Sequence, residues 1–179
     1  HTGNEEYNFF PATLFPAEQL RILPYNRVLR GLPNWQPHEF LQLLRRDFLL
    51  TGNAAPLPLR KGEISLYVNG NWHGLTLKPA AAATPTAGLD VTRLQDQILA
   101  PYFGIHDQRT DARIDFVGGV HGVAALQQMV DSGAAHMAIS MHATSLEELL
   151  AVSDAGALMP PKSTWFEPKL RDGLLCHSI

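Results

Sequence analysis

Apolar side chains recur along this chain in two rhythms, and each change of rhythm marks an element. From Tyr7-Asn8-Phe9-Phe10 to Phe15, and again from Leu20-Arg21-Ile22-Leu23 to Val28-Leu29, aromatic and branched residues predominate. Two strands are predicted there. Pro11, Pro16 and Pro24 punctuate them. A proline gives no donor to a ladder, so these strands lie at a sheet edge or the prolines mark their ends. Pro37 then suits the first turn of a helix through about Phe48, in which Phe40, Leu41, Leu44 and Phe48 recur at helical spacing and face a sheet.

The strongest local signal is Ile64-Ser65-Leu66-Tyr67-Val68, then Asn69-Gly70, then Asn71 to Leu77. Asn-Gly readily takes the positive φ angles of a tight turn, so this is a β-hairpin. The small residues and prolines of 79–88 bury little and read as a loop or internal linker. Asp90 can cap a helix bearing Val91, Leu94 and Ile98, limited by Pro101 and Gly104. Arg113 to Val117 reads as a strand. Gly118-Gly119 turns it into a helix bearing Val120, Val123, Leu126 and Val130 that stops near Gly133, and Ala134 to Met141 follows as a strand. Such tight strand–helix–strand joining favours a βαβ crossover between parallel strands. Thr144-Ser145-Leu146-Glu147 has capping-box form with Thr144 at the cap, leading a last helix toward Gly156. The fold class expected is α+β: a mixed β-sheet with flanking helices, one β-hairpin and one βαβ unit.

Composition narrows the setting. A chain of 179 residues is long enough for one domain with a sizeable core. Its hydrophobic residues are dispersed, with no apolar run near the roughly 20 residues of a bilayer-spanning helix. The start, His1-Thr2-Gly3-Asn4-Glu5-Glu6, has neither a secretory signal nor an initiating Met, so a boundary is expected upstream and the chain is expected to be the C-terminal part of a longer protein. The only cysteine, Cys176, cannot form an internal disulfide, which fits a reducing compartment, the cytoplasm. In Leu174-Leu175-Cys176 it reads as an apolar strand residue rather than a reactive thiol. With a net charge of −3 and scattered cations, nucleic acid is not an expected partner. Arg27, Arg30, Arg45, Arg46 and Arg60 read as solvated surface residues.

Four groups of residues can carry chemistry. Asp107, Arg109, Asp111, Arg113 and Asp115 alternate in sign at every second position, so in an extended segment they share one side. Either the arginines clamp an anion beside a carboxylate, or the charges pair with one another at the surface. Gly118 and Gly119 sit where backbone N–H groups can approach an anion at a helix N-terminus, or they simply make a tight turn; no dinucleotide fingerprint surrounds them. Lys162, Ser163 and Thr164 lie between Pro160-Pro161 and Trp165-Phe166 and can hold a phosphate or carboxylate, although the glycines of a P-loop are missing. On the strand ending at Met141, Met137 and Ile139 point one way while His136, Ser140 and His142 point the other. With His106 and His121 these histidines lack metal-ligand spacing, and no metal site is expected.

Arg21-Ile22-Leu23-Pro24-Tyr25-Asn26-Arg27, Gly104 to Asp111 with Arg113 to Gly119, and Met159 to Leu170 closely resemble a bacterial and archaeal family. It is the conserved domain-of-unknown-function family numbered one thousand and fifteen. The resemblance runs from Thr2 to the C-terminus and implies that the chain is the C-terminal half of a longer protein. Family members carry in their other half an Asp-Gly-His-His-Arg motif similar to the anion-binding segment of the partition-protein and sulfiredoxin group, which includes a free-serine kinase. By that analogy the whole protein is a nucleotide-dependent small-molecule kinase. The chain departs from the family pattern at Gln108, Ala112, His121 and His142-Ala143, where proline, lysine, arginine and tyrosine-proline are usual.

The expectation is therefore a C-terminal domain of a cytoplasmic protein that binds a small anionic metabolite or nucleotide. Asp107, Arg109, Asp111, Arg113, Asp115, Gly118, Gly119, Lys162, Ser163 and Thr164 are its candidate ligand contacts, and catalytic residues and cofactor are unassigned. The expected partners are the N-terminal half of the same protein, a small anion and a second copy of the chain, not nucleic acid or a membrane. The alternative is a non-catalytic module in which the same motifs hold domains or subunits together, with Trp165 and Phe166 as anchors.

Overall fold

The computed structural model describes residues 2–171, 173, 176 and 177, which fall into two units. In chain order the elements are β1 (Arg21–Leu23), β2 (Tyr25–Leu29), α1 (Pro37–Asp47), β3 (Leu49–Gly52), β4 (Glu63–Val68), β5 (Asn71–Thr76), α2 (Asp90–Leu94), α3 (Ala100–Phe103), β6 (Ile114–Gly118), α4 (Gly122–Asp131), β7 (Met137–Met141), α5 (Leu146–Asp154) and β8 (Trp165–Glu167). The larger unit, Ile22–Trp165, holds a six-stranded sheet in the order β3-β5-β4-β7-β2-β6. The architecture is α+β. Each neighbouring pair in that sheet is antiparallel.

The expected hairpin is β4–β5, with Asn69 and Gly70 at φ of 49° and 77°. β6, α4 and β7 form the expected strand–helix–strand unit, and both strands run antiparallel to β2. They are thus parallel to each other, but β2 lies between them as their common neighbour. Pro24 explains how β2 reaches this central place. It ends β1, and the ladder residues begin after it at Tyr25.

The sheet is buried on both faces. On one, Leu29, Ile64, Leu66 and Ile139 join Leu44 of α1 and Leu94 of α2 in the main cluster. A fully buried Leu or Ile of this kind contributes roughly 1.5–3 kcal/mol. On the other face a smaller cluster of Val28, Tyr67, Trp72, Ala138 and Leu126 lies under α4. Leu126 is the buried residue of that helix, while Val123, Met129 and Val130 are half-buried.

One proline and two caps depart from expectation. Helical turns run through Pro101 to Phe103 and stop, as expected, at Gly104, whose φ is 62°. A wide i+5 segment over Gln95–Leu99 precedes the proline and accommodates its missing donor. Asp90 is not the cap of its helix: Leu89 is, and the buried Asp90 carboxylate accepts from the Gly62 N–H at 2.8 Å and from Arg93 at 2.9 Å. The last helix is capped one residue later than expected. Ser145 accepts from the Glu148 N–H at 3.1 Å while Glu148 accepts from the Ser145 N–H at 2.9 Å. The Thr144 hydroxyl instead donates to the Ser163 carbonyl at 3.3 Å.

The smaller unit contains the described residues of His1–Arg21 and Phe166–Ile179. The strand expected from Tyr7 to Phe15 is absent; single 3₁₀ turns at Glu6–Asn8 and Ala17–Gln19 flank an irregular stretch. Its aromatic residues are exposed, and aromatic strand propensity acts only where a sheet face is there to pack on. Cys176 is exposed and outside any strand; Leu174 and Leu175 lie outside the described residues.

Candidate functional site

Strand β2 positions the centre of the site. Its Tyr25 and Arg27 are two residues apart and so lie on one face. Arg27 is not the solvated surface arginine expected from the sequence: it is 0% exposed, whereas Arg30, Arg45, Arg46 and Arg60 are exposed. Its guanidinium donates to the Tyr25 carbonyl, to the Lys162 carbonyl at 3.1 Å and to Gln108 Oε1 at 3.3 Å, and lies 5.5 Å from the Phe116 ring centroid. Burial pulls its pKa down to about 10. Gln108 in turn donates to Gln95 Oε1 at 2.8 Å, so the acceptor is itself oriented.

Beside this arginine opens a cleft of about 470 Å³ lined by Tyr25, Asp115, Phe116, Gly118, His121, Lys162 and Trp165, with Ala125 and Met129 of α4. Tyr25 meets Trp165 edge-on at 5.4 Å and Phe116 at 6.5 Å, and His121 stands 6.4 Å from Trp165. The Lys162 ammonium sits 5.4 Å above the Tyr25 ring, on a backbone held at φ 53°. No ion pair holds it among the described residues. Helix α4 contributes its cap residue His121 and one flank, Ala125 and Met129, to the cleft.

Of the residues singled out in the sequence, Asp115, Gly118 and Lys162 meet at this cleft. Asp115 also pairs with Arg30 at 3.3 Å. Gly118 is needed for the cleft wall, because a Cβ there would lie 2.5 Å from the Trp165 ring. Gly119 gives its N–H to the Pro24 carbonyl at 2.8 Å. Ser163 is buried and Thr164 half-buried, behind Lys162 in sequence.

The other charges stay apart from the cleft. Residues 107–111 turn, with the Asp111 N–H reaching the Asp107 carbonyl, so the five charges do not share one extended side. Arg109 pairs with Asp107 at 2.8 Å and Arg113 with Asp111 at 2.6 Å. The Arg109 hydrogen bonds hold the Asp107 carboxyl down at about 2, and the Arg113 side chain likewise lowers that of Asp111. Arg113 spends further donors on the Phe103 and Gly104 carbonyls. His136 accepts the Leu32 N–H at 3.1 Å and stacks on Trp35, and Ser140 is wholly buried in the sheet.

Reading the sequence missed Arg27, Tyr25, Phe116, His121 and Trp165 as neighbours. The usable signals were the strand alternation that puts Tyr25 and Arg27 on the same side and the three family-like segments, which hold Tyr25, Arg27, Phe116 and Trp165. Among the described residues no three His, Cys, Asp or Glu side chains gather as metal ligands, and no helix is long and apolar enough to cross a membrane. Chemically, the cleft offers an ammonium and aromatic faces, with one carboxylate and one imidazole at hand.

The model of the family described as "Protein of unknown function (DUF1015)" matches residues 1–92, which include Arg21 to Arg27 but neither the Gly104–Gly119 nor the Met159–Leu170 segment. No curated protein matches the chain. Among solved structures, a free serine kinase in complex with AMP is similar at 12% identity and a TM-score of 0.50, over 84% of this chain and 55% of that one. A conserved hypothetical protein from Pyrococcus furiosus is similar at 13% identity and a TM-score of 0.45, over 83% of this chain and 56% of that one. The chain thus spans about half the length of the solved structures it matches, and what it shares with the kinase is the fold.

Proposed function

We propose a function for this chain from one premise: it belongs to the family described as a protein of unknown function (DUF1015). On this reading the chain supplies the anion-binding half of a cytoplasmic, kinase-like protein whose ligand is a phosphorylated small molecule or nucleotide. The observation that carries it is Lys162, an ammonium without a carboxylate partner among the described residues, held over the Tyr25 ring in a cleft at the start of α4. A phosphate entering there gains a charge-assisted bond, while the rings of Tyr25 and Trp165 give a base or an apolar group a surface. The free serine kinase of similar fold was solved with AMP, which supports a nucleotide as the ligand.

Asp115 and His121 line the same cleft and are the groups able to exchange a proton with a bound substrate. The rest of the catalytic machinery comes, on this proposal, from the N-terminal half of a longer protein. The exposed, lone Cys176 supports a reducing compartment.

A second reading, an interaction module, is favoured by the smaller unit, where Phe10 is 82% and Leu14 94% exposed. Calorimetry of AMP and of inorganic phosphate with the chain and with Lys162→Ala separates the two. Binding that weakens at least about tenfold in the variant supports the cleft, by the worth of one charged hydrogen bond. Binding that survives puts the site elsewhere, and no binding of either probe favours the interaction module.

A further inference from the structure

We propose that Arg27 is the positioning residue that holds Lys162 in the cleft, an inference that rests on the anion-binding reading above. A fully buried guanidinium is costly to keep unless its donors are used, and Arg27 has no carboxylate within ion-pair distance among the described residues. Its donors go instead to two backbone carbonyls and one amide oxygen. Those two carbonyls belong to Tyr25 and Lys162, the pair whose side chains stack ammonium over ring at 5.4 Å.

One planar fork therefore sets the separation of the two backbones that carry the stacked pair. The Lys162 end needs such a restraint. Its φ of 53° is a conformation that residues with a Cβ adopt at a cost, and the Arg27 bond to its carbonyl holds the peptide that follows. Lysine in place of Arg27 cannot serve three acceptors in a plane from one ammonium. With its root fixed and its head over a ring, Lys162 meets an anion with part of its side-chain entropy already lost.

The test has one readout that needs no ligand. The chain contains four lysines, and the ε-methylene protons of one held over an aromatic ring are displaced upfield by the ring current. With ¹³C-labelled lysine, Lys162→Ala identifies its resonance. Arg27→Met is expected to move that resonance to the position of an exposed lysine and to weaken inorganic phosphate binding about tenfold. In the Lys162→Ala background the same change is expected to cost no further affinity. Arg27→Lys keeps the positive charge and is expected to move the resonance too; it decides the matter if Arg27→Met does not fold.

A Lys162 resonance that stays in place in folded Arg27→Lys overturns the inference. So does an equal loss of affinity in both Lys162 backgrounds, which would make Arg27 act independently. If the unsubstituted chain binds no phosphate, the anion-binding reading falls, and the resonance alone still decides whether Arg27 holds Lys162.

Discussion

Gly118 lies so close against Trp165 that a Cβ would stand 2.5 Å from Cε3 and 2.6 Å from Cζ3 of the ring. The indole is part of the cleft wall and also meets Tyr25 and His121, so it cannot retreat freely. Gly118→Ala is expected to destabilise the chain by about 1–3 kcal/mol, the range for overpacked sites. Thermal unfolding checks this, and a Tm equal to that of the unsubstituted chain would show a ring free to shift.

The hairpin makes an independent prediction. Gly70 sits at φ 77° in a two-residue turn with open space around its Cα, so an added methyl meets backbone strain rather than a clash. Gly70→Ala should cost about 1–2 kcal/mol in urea unfolding. A loss well under that range would mean the turn relaxes to another type.

The displaced capping box can be checked by a paired comparison. Ser145→Ala removes the bond to the Glu148 N–H and should cost about 1 kcal/mol. Glu147→Gln, at the position a Thr144 cap would use, loses only a first-turn charge and should cost less, about 0.3 kcal/mol. If Glu147→Gln were the more damaging of the two, the cap would lie where the sequence placed it.

Acid unfolding reports on Asp107. Its carboxyl is lowered from an ordinary 3.8 to about 2 by the Arg109 side chain and backbone N–H, so the folded state binds its proton more weakly than the unfolded chain. Its stabilisation is present above pH 3.8 and is lost as the pH falls through about 2. Asp107→Asn should therefore flatten the stability profile between those values and leave its shape at neutral pH unchanged. An unaltered acid limb would place the acid sensitivity in other carboxyls.

These elements differ in how far the sequence disclosed them. The β4–β5 hairpin was legible because Asn69-Gly70 carries its own turn geometry, and α1 because Phe40, Leu41 and Leu44 repeat at helical spacing. β3 was not, since Leu49 to Gly52 is four residues with no alternation of its own and exists by pairing with β5. At the site, Lys162 and Gly118 stood out by residue type and local setting. Arg27 did not, because its burial depends on the Lys162 carbonyl, 135 residues away, and a guanidinium satisfied by backbone leaves no mark in composition. Alternating charge over 107–115 suggested one extended side, and the turn after Asp107 removed it.

The place of β2 in the sheet bears on how the chain folds. Both neighbours of the strand follow it in the chain by a long way: Leu29 pairs with Ile114 on one side and Met137 on the other. Without β6 one edge of β2 is open, without β7 the other, and without the segment at Lys162 the Arg27 guanidinium lacks one of its carbonyls. Closing loops of this length before any pairing is rewarded slows the search, so β2 should gain its place only when β6, β7 and the Lys162 segment are all present.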